Sequence, residues 1–370
     1  MNIRTTLLLL SLLSPAAWAQ TDAWQSCTDL RDANVRLACF DAWATQQAEA
    51  TATPHPSQIP PQTLPAQPVP SPADAPVAVA ESDCRNPARS DLSRFWELES
   101  GSDCGTFAIR GYKPISLSWI GSDSVNTQPS SPSPDHTAST SLPYGSNEAR
   151  IQLSVRTKIA QGLLTQGEPS KRDSIWFGYT QQSYWQLFNP GLSRPFRATD
   201  HEPEIIYIYP TDVALPGGWR WRYAGWALNH QSNGQSLPLS RSWNRNILMA
   251  GFERGDNLRV MARAWYRVPE AAEDDDNPDI SNRIGRAEVT AQWNPDRRNT
   301  LGLTVRHSLR AQANGSVRLE WLRSLADDAA TPGRSGLRFH TQLFSGYGDS
   351  LIDYNHRRTV LSVGLSLVDW

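Results

Sequence analysis

Through most of this chain, apolar residues recur at every second position. Leu361, Val363, Leu365 and Leu367 alternate with Ser362, Gly364 and Ser366. Farther back, Val260, Ala262, Ala264 and Tyr266 alternate with Met261, Arg263, Trp265 and Arg267. A repeat of two belongs to the β-strand, whose side chains point to opposite faces in turn. Twelve such segments can be marked, at 105–119, 149–164, 173–188, 203–213, 219–232, 240–254, 257–269, 284–294, 299–309, 315–325, 336–349 and 359–370. Gly, Asp, Asn and Pro interrupt the pattern between them, as turns require. Helical periodicity is absent from nearly all of this region.

An all-β chain of this kind can place its apolar face inward, as a sandwich, or outward against lipid, as a membrane barrel. Three features favour the barrel. The segments approach the roughly 9–11 residues that a tilted strand needs to cross a bilayer. Their number is even, so a barrel closes without an unpaired edge in lipid. Aromatic residues crowd the segment ends, in "SIWFGY", "SYWQLF", "GGWRWRY" and "RSWNR", where interfacial girdles sit. The expected fold is a twelve-stranded antiparallel transmembrane β-barrel over residues 84–370.

The N-terminal third reads differently. Arg4, the apolar run Leu7 to Leu13 and Ala17-Trp18-Ala19 describe a secretory signal peptide, residues 1–19. Residues 20–50 form a small helical segment, with Asp29 or Asp32 as a helix cap. Residues 51–83, rich in proline and alanine, form a semi-extended linker. All four cysteines lie in this third, which fits an oxidising compartment. Local pairing, Cys27–Cys39 and Cys84–Cys104, is preferred among the three possible connectivities, and the wide spacing argues against zinc. The net charge of −2 gives no polyelectrolyte field for nucleic acid.

One stretch carries chemistry: "NHQSNGQSLPLSRSWNR", residues 229–245. On a strand, Trp226, Leu228, His230 and Ser232 share one face. If the first two meet lipid, the last two emerge on the barrel's exterior. Asn244 opens the next strand and can lie beside His230. A hydroxyl, an imidazole and a carbonyl-bearing orienter then stand in line for nucleophilic attack on an ester. A neutral amide stabilises an imidazolium less than a carboxylate does, so help from a cation or from backbone amides is expected. Lipid esters are the substrate such a surface meets. An ordinary Asn-Gly turn is the plain alternative for "NHQSNG".

The stretch closely resembles the bacterial outer membrane phospholipase A family, in N-H-x-S-N-G followed by S-R-S-W-N-R. Further matches lie in order at "YTQQSYWQLFN" (179–189), "RPFRATDHEPEI" (194–205), "DDNPDI" (275–280) and "SGYGDSLIDYN" (345–355). The resemblance spans about 100–370. It implies a calcium-dependent, homodimeric outer-membrane enzyme hydrolysing acyl esters of glycerophospholipids and lysophospholipids. By resemblance, His230 matches the base, Ser232 the nucleophile, Asn244 the orienter and Gly234 an oxyanion amide. Ser240 matches a hydroxyl ligand of the catalytic calcium, with main-chain carbonyls from Gln235 and, across the dimer, Ser193. Gln181 matches an interface position. Asp276 keeps one ligand of a second calcium position, but Leu237 replaces the other. Gln231 is expected to point to the opposite face from His230. A non-catalytic barrel, a porin or a structural protein, is the reading that competes with the enzyme.

Overall fold

The computed structural model describes residues 25–50, 86, 88–325 and 336–368. The chain divides into two compact units, 1–75 and 76–370. In the first, helices α1 (Gln25–Thr28) and α2 (Ala33–Ala50) are stapled by the Cys27–Cys39 disulfide. Asp32 caps α2, its carboxylate accepting from the main-chain N–H groups of Asn34 (2.9 Å) and Val35 (3.1 Å). Those donors have no partner within the helix itself. The expected signal peptide (1–19) and linker (51–83) lie outside the described residues, and so does Cys84 of the second expected bridge.

The second unit is a closed antiparallel barrel. Its strands are β2 (Ile115–Ser122), β3 (Asn147–Gln161), β4 (Ser174–Trp185), β5 (Ala198–Leu215), β6 (Trp219–Ser232), β7 (Ser242–Arg254), β8 (Leu258–Arg267), β9 (Ala287–Trp293), β10 (Asn299–His307), β11 (Gly315–Ser324), β12 (Gly336–Gly346) and β13 (Arg358–Val368). Each pairs with its neighbours in sequence, and β13 pairs with β2 to close the ring. A short β1 (Ile109–Gly111) lies outside this count and pairs with Val155–Thr157 of β3. The expected first segment, 105–119, is therefore two pieces. Pro114, which has no N–H to donate, stands at the break. Beside it the N–H groups of Tyr112 and Lys113 donate to the carbonyl and hydroxyl of Ser154. Both pieces alternate with the same period, so the pattern runs through the bend. The expected 336–349 segment ends early, at Gly346.

The barrel is apolar outside and polar inside. On β13, Leu361 is 43% exposed and Ser362 1%, and the same alternation continues through Leu365 and Ser366. On β8, Trp265 is buried and Tyr266 exposed. Arg245, Glu202 and Lys113 meet inside, with Arg245 Nη2 and Lys113 Nζ at 2.8 and 2.7 Å from the two Glu202 oxygens. Arg306 reaches Glu288 at 2.7 Å. Among the described residues no helix is long and apolar enough to cross a membrane, so any crossing there falls to strands.

One barrel end carries the connections 162–173, 216–218, 255–257 and 294–298, most of them short. The other carries 123–146, 186–197, 233–241, 268–286, 308–314 and 347–357, most of them longer. In outer-membrane barrels the long loops face the exterior of the cell and the short turns the periplasm. Near the turn end a helix, α3 (Asp91–Trp96), enters the lumen. Ser90 caps it, accepting from the Ser93 N–H, and Glu97 ends it with φ +53°. Trp96 packs edge-on to Trp176 and Tyr223, with ring centroids 5.7 and 6.0 Å away. Strand periodicity does not reveal this plug, because six residues are too few to display a helical repeat.

At the loop end, residues 347–357 fold inward. Asp353 accepts from Arg197 at 2.9 Å and from Ser350 at 2.7 Å, and Asp349 accepts from Arg358 at 2.6 Å. Arg197 also clamps Glu148 through two bonds of 2.6 and 2.9 Å. The N–H of Leu351 donates to Asp200 at 2.8 Å. Two of the ordered sequence matches, 194–205 and 345–355, thus meet in one buried ion-pair cluster.

Candidate active site

The β6–β7 register sets His230 opposite Asn244 and Ser232 opposite Ser242. Beneath them on the same outer face, Trp226 and Leu228 are 40% and 45% exposed. His230 is itself exposed and Ser232 half-buried. Gln231 turns inward, accepting at 2.9 Å from the indole of Trp243, which is buried. The period of two thus delivers an imidazole and a hydroxyl to the exterior, at the loop end of the apolar belt.

The imidazole is anchored. His230 Nδ1 lies 2.8 Å from Asn244 Oδ1, and Asn244 Nδ2 donates to Glu270 Oε1 at 3.0 Å. The main chain of Asn244 is tied to the same loop, its carbonyl accepting from the Val268 N–H at 2.8 Å. Gly234 follows with φ +62°, a conformation that glycine adopts without strain. Across β5, His201 is the register partner of Ser232. Tyr179 Oη sits 2.8 Å from His201 Nδ1 and donates to Gln181 Oε1 at 3.2 Å.

Loop residues gather oxygen donors close by. Asp276 Oδ2 accepts from the hydroxyls of Ser240 (2.8 Å) and Ser242 (3.1 Å), while Oδ1 meets His136 Nε2 at 2.9 Å. Asn277 Oδ1 holds the Ser242 N–H at 3.0 Å. The donor expected from a second cation position, Asp276, and the expected ligand Ser240 therefore belong to one cluster. A carboxylate with two hydroxyls is the oxygen-rich set that a hard divalent cation such as calcium prefers, so these residues fit such an ion. Gln235 lies in the same loop, its N–H on Asn233 Oδ1 and its side chain on the Arg197 carbonyl, both at 3.3 Å. The Ser193 carbonyl accepts from the Trp185 indole at 2.8 Å.

A family model described as phospholipase A1 matches residues 92–367, all but the outermost residues of α3 and the barrel. The chain belongs to the phospholipase A1 family. A relative from Neisseria meningitidis serogroup B is 33% identical over 379 residues, covering 98% of this chain and 95% of its own. A solved structure of Escherichia coli outer membrane phospholipase A, bearing an asparagine-to-alanine active-site mutation, is 28% identical with a TM-score of 0.61. It covers 79% of this chain and 99% of its own. The Salmonella typhi outer membrane phospholipase dimer with bound calcium matches at the same identity, TM-score and coverage. This member of the phospholipase A1 family is a phospholipase of the bacterial outer membrane, built on the twelve-stranded barrel described above.

The period of two placed His230 and Ser232 together, with Asn244 on the adjoining strand, and the family resemblance added Gly234 and Ser240 from the loop between those strands. Neither singled out Glu270, His136 or His201. The first two reach the site from loops whose course no local pattern encodes. His201 was discoverable in outline, since one of the two strand partners of Ser232 comes from β5, but the register needed to select it was not in the sequence.

Proposed function

We propose that this enzyme hydrolyses acyl esters of glycerophospholipids and lysophospholipids with Ser232 as nucleophile, His230 as general base and Asn244 as orienter. The observation that carries the reading is the 2.8 Å contact between His230 Nδ1 and Asn244 Oδ1 on the outer, apolar face, with Ser232 two residues along the same strand. The asparagine at the active site of the Escherichia coli relative supports it.

The chain's residues act as follows. With Nδ1 donating to Asn244, the lone pair of His230 Nε2 is free to take the Ser232 proton as Oγ bonds to the ester carbonyl carbon. The carbonyl π electrons move to oxygen, and the N–H of Gly234 donates to that developing charge. Collapse breaks the bond to the glycerol oxygen, which takes the proton from Nε2 and leaves as lysophospholipid or deacylated product. Water then attacks the acyl-serine, His230 accepts its proton, and the fatty acid departs as Ser232 Oγ is reprotonated.

Ser240 and Asp276, with the main-chain carbonyls of Gln235 and of Ser193 in a second copy, would hold calcium, and bound calcium supplies positive charge beside the oxyanion. A calcium-dependent homodimer, with Gln181 at the interface, is the assembly this implies, in keeping with the calcium-bound Salmonella typhi dimer.

The test is fatty-acid release by the full chain refolded in detergent. Calcium-dependent release is expected for wild type, and a loss of about a thousand-fold or more for Ser232→Ala. Undiminished release by that variant overturns the nucleophile, and an unchanged wild-type rate in chelator overturns the calcium role.

A further inference from the structure

A serine–histidine pair oriented by asparagine lacks the negative charge that an aspartate would bring to the imidazolium. The structure holds such a charge one residue farther out. Asn244 Nδ2 donates to Glu270 Oε1 at 3.0 Å, and Glu270 Oε2 accepts from Arg267 Nη2 at 2.8 Å. Arg267 in turn is held by Asp275 at 2.5 Å and by the Asn277 carbonyl at 3.2 Å. Both carboxylate oxygens of Glu270 are thus engaged, one by the orienter and one by an anchored guanidinium.

An ionised carboxylate only accepts hydrogen bonds. Opposite Glu270, therefore, Asn244 must present its NH2 group, and its carbonyl oxygen is turned toward His230. That oxygen also only accepts, so the proton of a neutral His230 must sit on Nδ1. The lone pair is left on Nε2, the nitrogen that the reaction uses. When His230 becomes an imidazolium, the charge of Glu270 is relayed to it through the polarised amide.

Resting on the proposed Ser232–His230–Asn244 reading, we infer that Glu270 is a positioning residue that fixes the Asn244 amide and supplies the carboxylate that the Ser–His–Asn unit itself lacks. The working unit is Ser232–His230–Asn244–Glu270, with the acid in fourth place rather than third. Its logic is that of a hydrolase in which the carboxylate has been withdrawn by the length of one amide, away from the lipid-facing surface and into the 268–286 loop.

The experiment uses the refolded full chain with calcium and measures kcat and KM for phospholipid in mixed micelles, checking folding by heat-modifiable gel migration. Glu270→Ala should lower kcat by about ten-fold or more with little change in KM, the scale of a lost hydrogen bond to a charged group. Glu270→Gln, which keeps the shape, should fall between it and wild type. The decisive pair exchanges the two groups. Asn244→Asp alone sets two carboxylates against each other and should be severely impaired. Combined with Glu270→Gln it restores one amide and one carboxylate in the reverse order, and should recover at least several-fold of the loss. A purely structural role for Glu270 predicts no such rescue. Wild-type kcat in both single Glu270 variants, or a double variant no better than Asn244→Asp, overturns the inference while Ser232→Ala remains inactive. Activity surviving in Ser232→Ala instead removes the underlying reading and the inference with it.

Discussion

His230, Ser232 and Asn244 sit on two adjacent strands, yet what tunes them comes from loops. At Gly234 the φ of +62° costs most residues with a Cβ, alanine included, about 1–2 kcal/mol. A methyl group there finds room, since the nearest atoms, on His201, lie 3.6 and 3.7 Å from the ideal Cβ position. The effect of Gly234→Ala should therefore be conformational rather than steric. Turnover should drop by about ten-fold as the amide tilts away from the oxyanion, with a stability loss near 1 kcal/mol; urea titration beside initial rates separates the two. Asp276 offers a second check. Removing its carboxylate by Asp276→Ala should raise the calcium concentration needed for half-maximal activity by at least about ten-fold, with maximal rate partly retained at saturating ion. An unaltered calcium titration would show that the cluster around Ser240 does not bind the cation. At this scale the sequence revealed whatever follows from a period of two: His230 and Ser232 together, Gln231 opposed. It could not reveal Glu270, because a carboxylate 26 residues from Asn244 becomes a partner only once a loop has folded back.

Among the elements, the 347–357 loop departs most from expectation. It packs inward because its acids have buried guanidinium partners from the 186–197 loop and from β3 and β13. Burial alone would raise the Asp353 carboxyl, but Arg197 and Arg358 hold it well below the usual carboxylate range. Asp349 is likewise lowered against burial, by Arg358 and Arg150. A carboxylate depressed in the folded state contributes stability that is complete above its unfolded pKa, about 3.9, and is lost as pH falls through the folded value. The Asp349 and Asp353 pairs should therefore lower the unfolding midpoint as pH falls below about 4. Asp353→Asn should cost about 3–5 kcal/mol at neutral pH, because it leaves buried arginine charge underpaired, and should flatten the acid decline. A midpoint curve unchanged by that substitution would deny the cluster its role. Strand existence was readable from alternation almost everywhere, and β6 to the residue. The bend between β1 and β2 was not, nor was α3, since one hides inside a continuing pattern and the other is shorter than two helical turns. The buried acids of 347–357 were unreadable for another reason: a charged side chain goes inside only when distant residues have already arranged its partners.

For the whole molecule, the inversion of polarity determines behaviour. Serines and arginines fill the lumen while leucines face outward, so stability depends on a lipid or detergent environment around the belt. Leu365→Arg, at a 46% exposed position of β13, should cost up to about 2–4 kcal/mol in a bilayer, depending on depth. The conservative change Leu365→Met at the same position should cost less than about 1.5 kcal/mol. Folding into liposomes followed by denaturant titration distinguishes them, and equal effects would contradict the assigned face. Because His230 and Ser232 stand on the same outer face as Trp226 and Leu228, the proposed site would receive substrate sideways, within the plane of the membrane. The quantity that governs turnover is thus a surface mole fraction rather than a bulk molarity. Diluting phospholipid with inert detergent at constant total phospholipid should slow the enzyme, and adding more of an unchanged mixture should not quicken it once every molecule of enzyme is embedded.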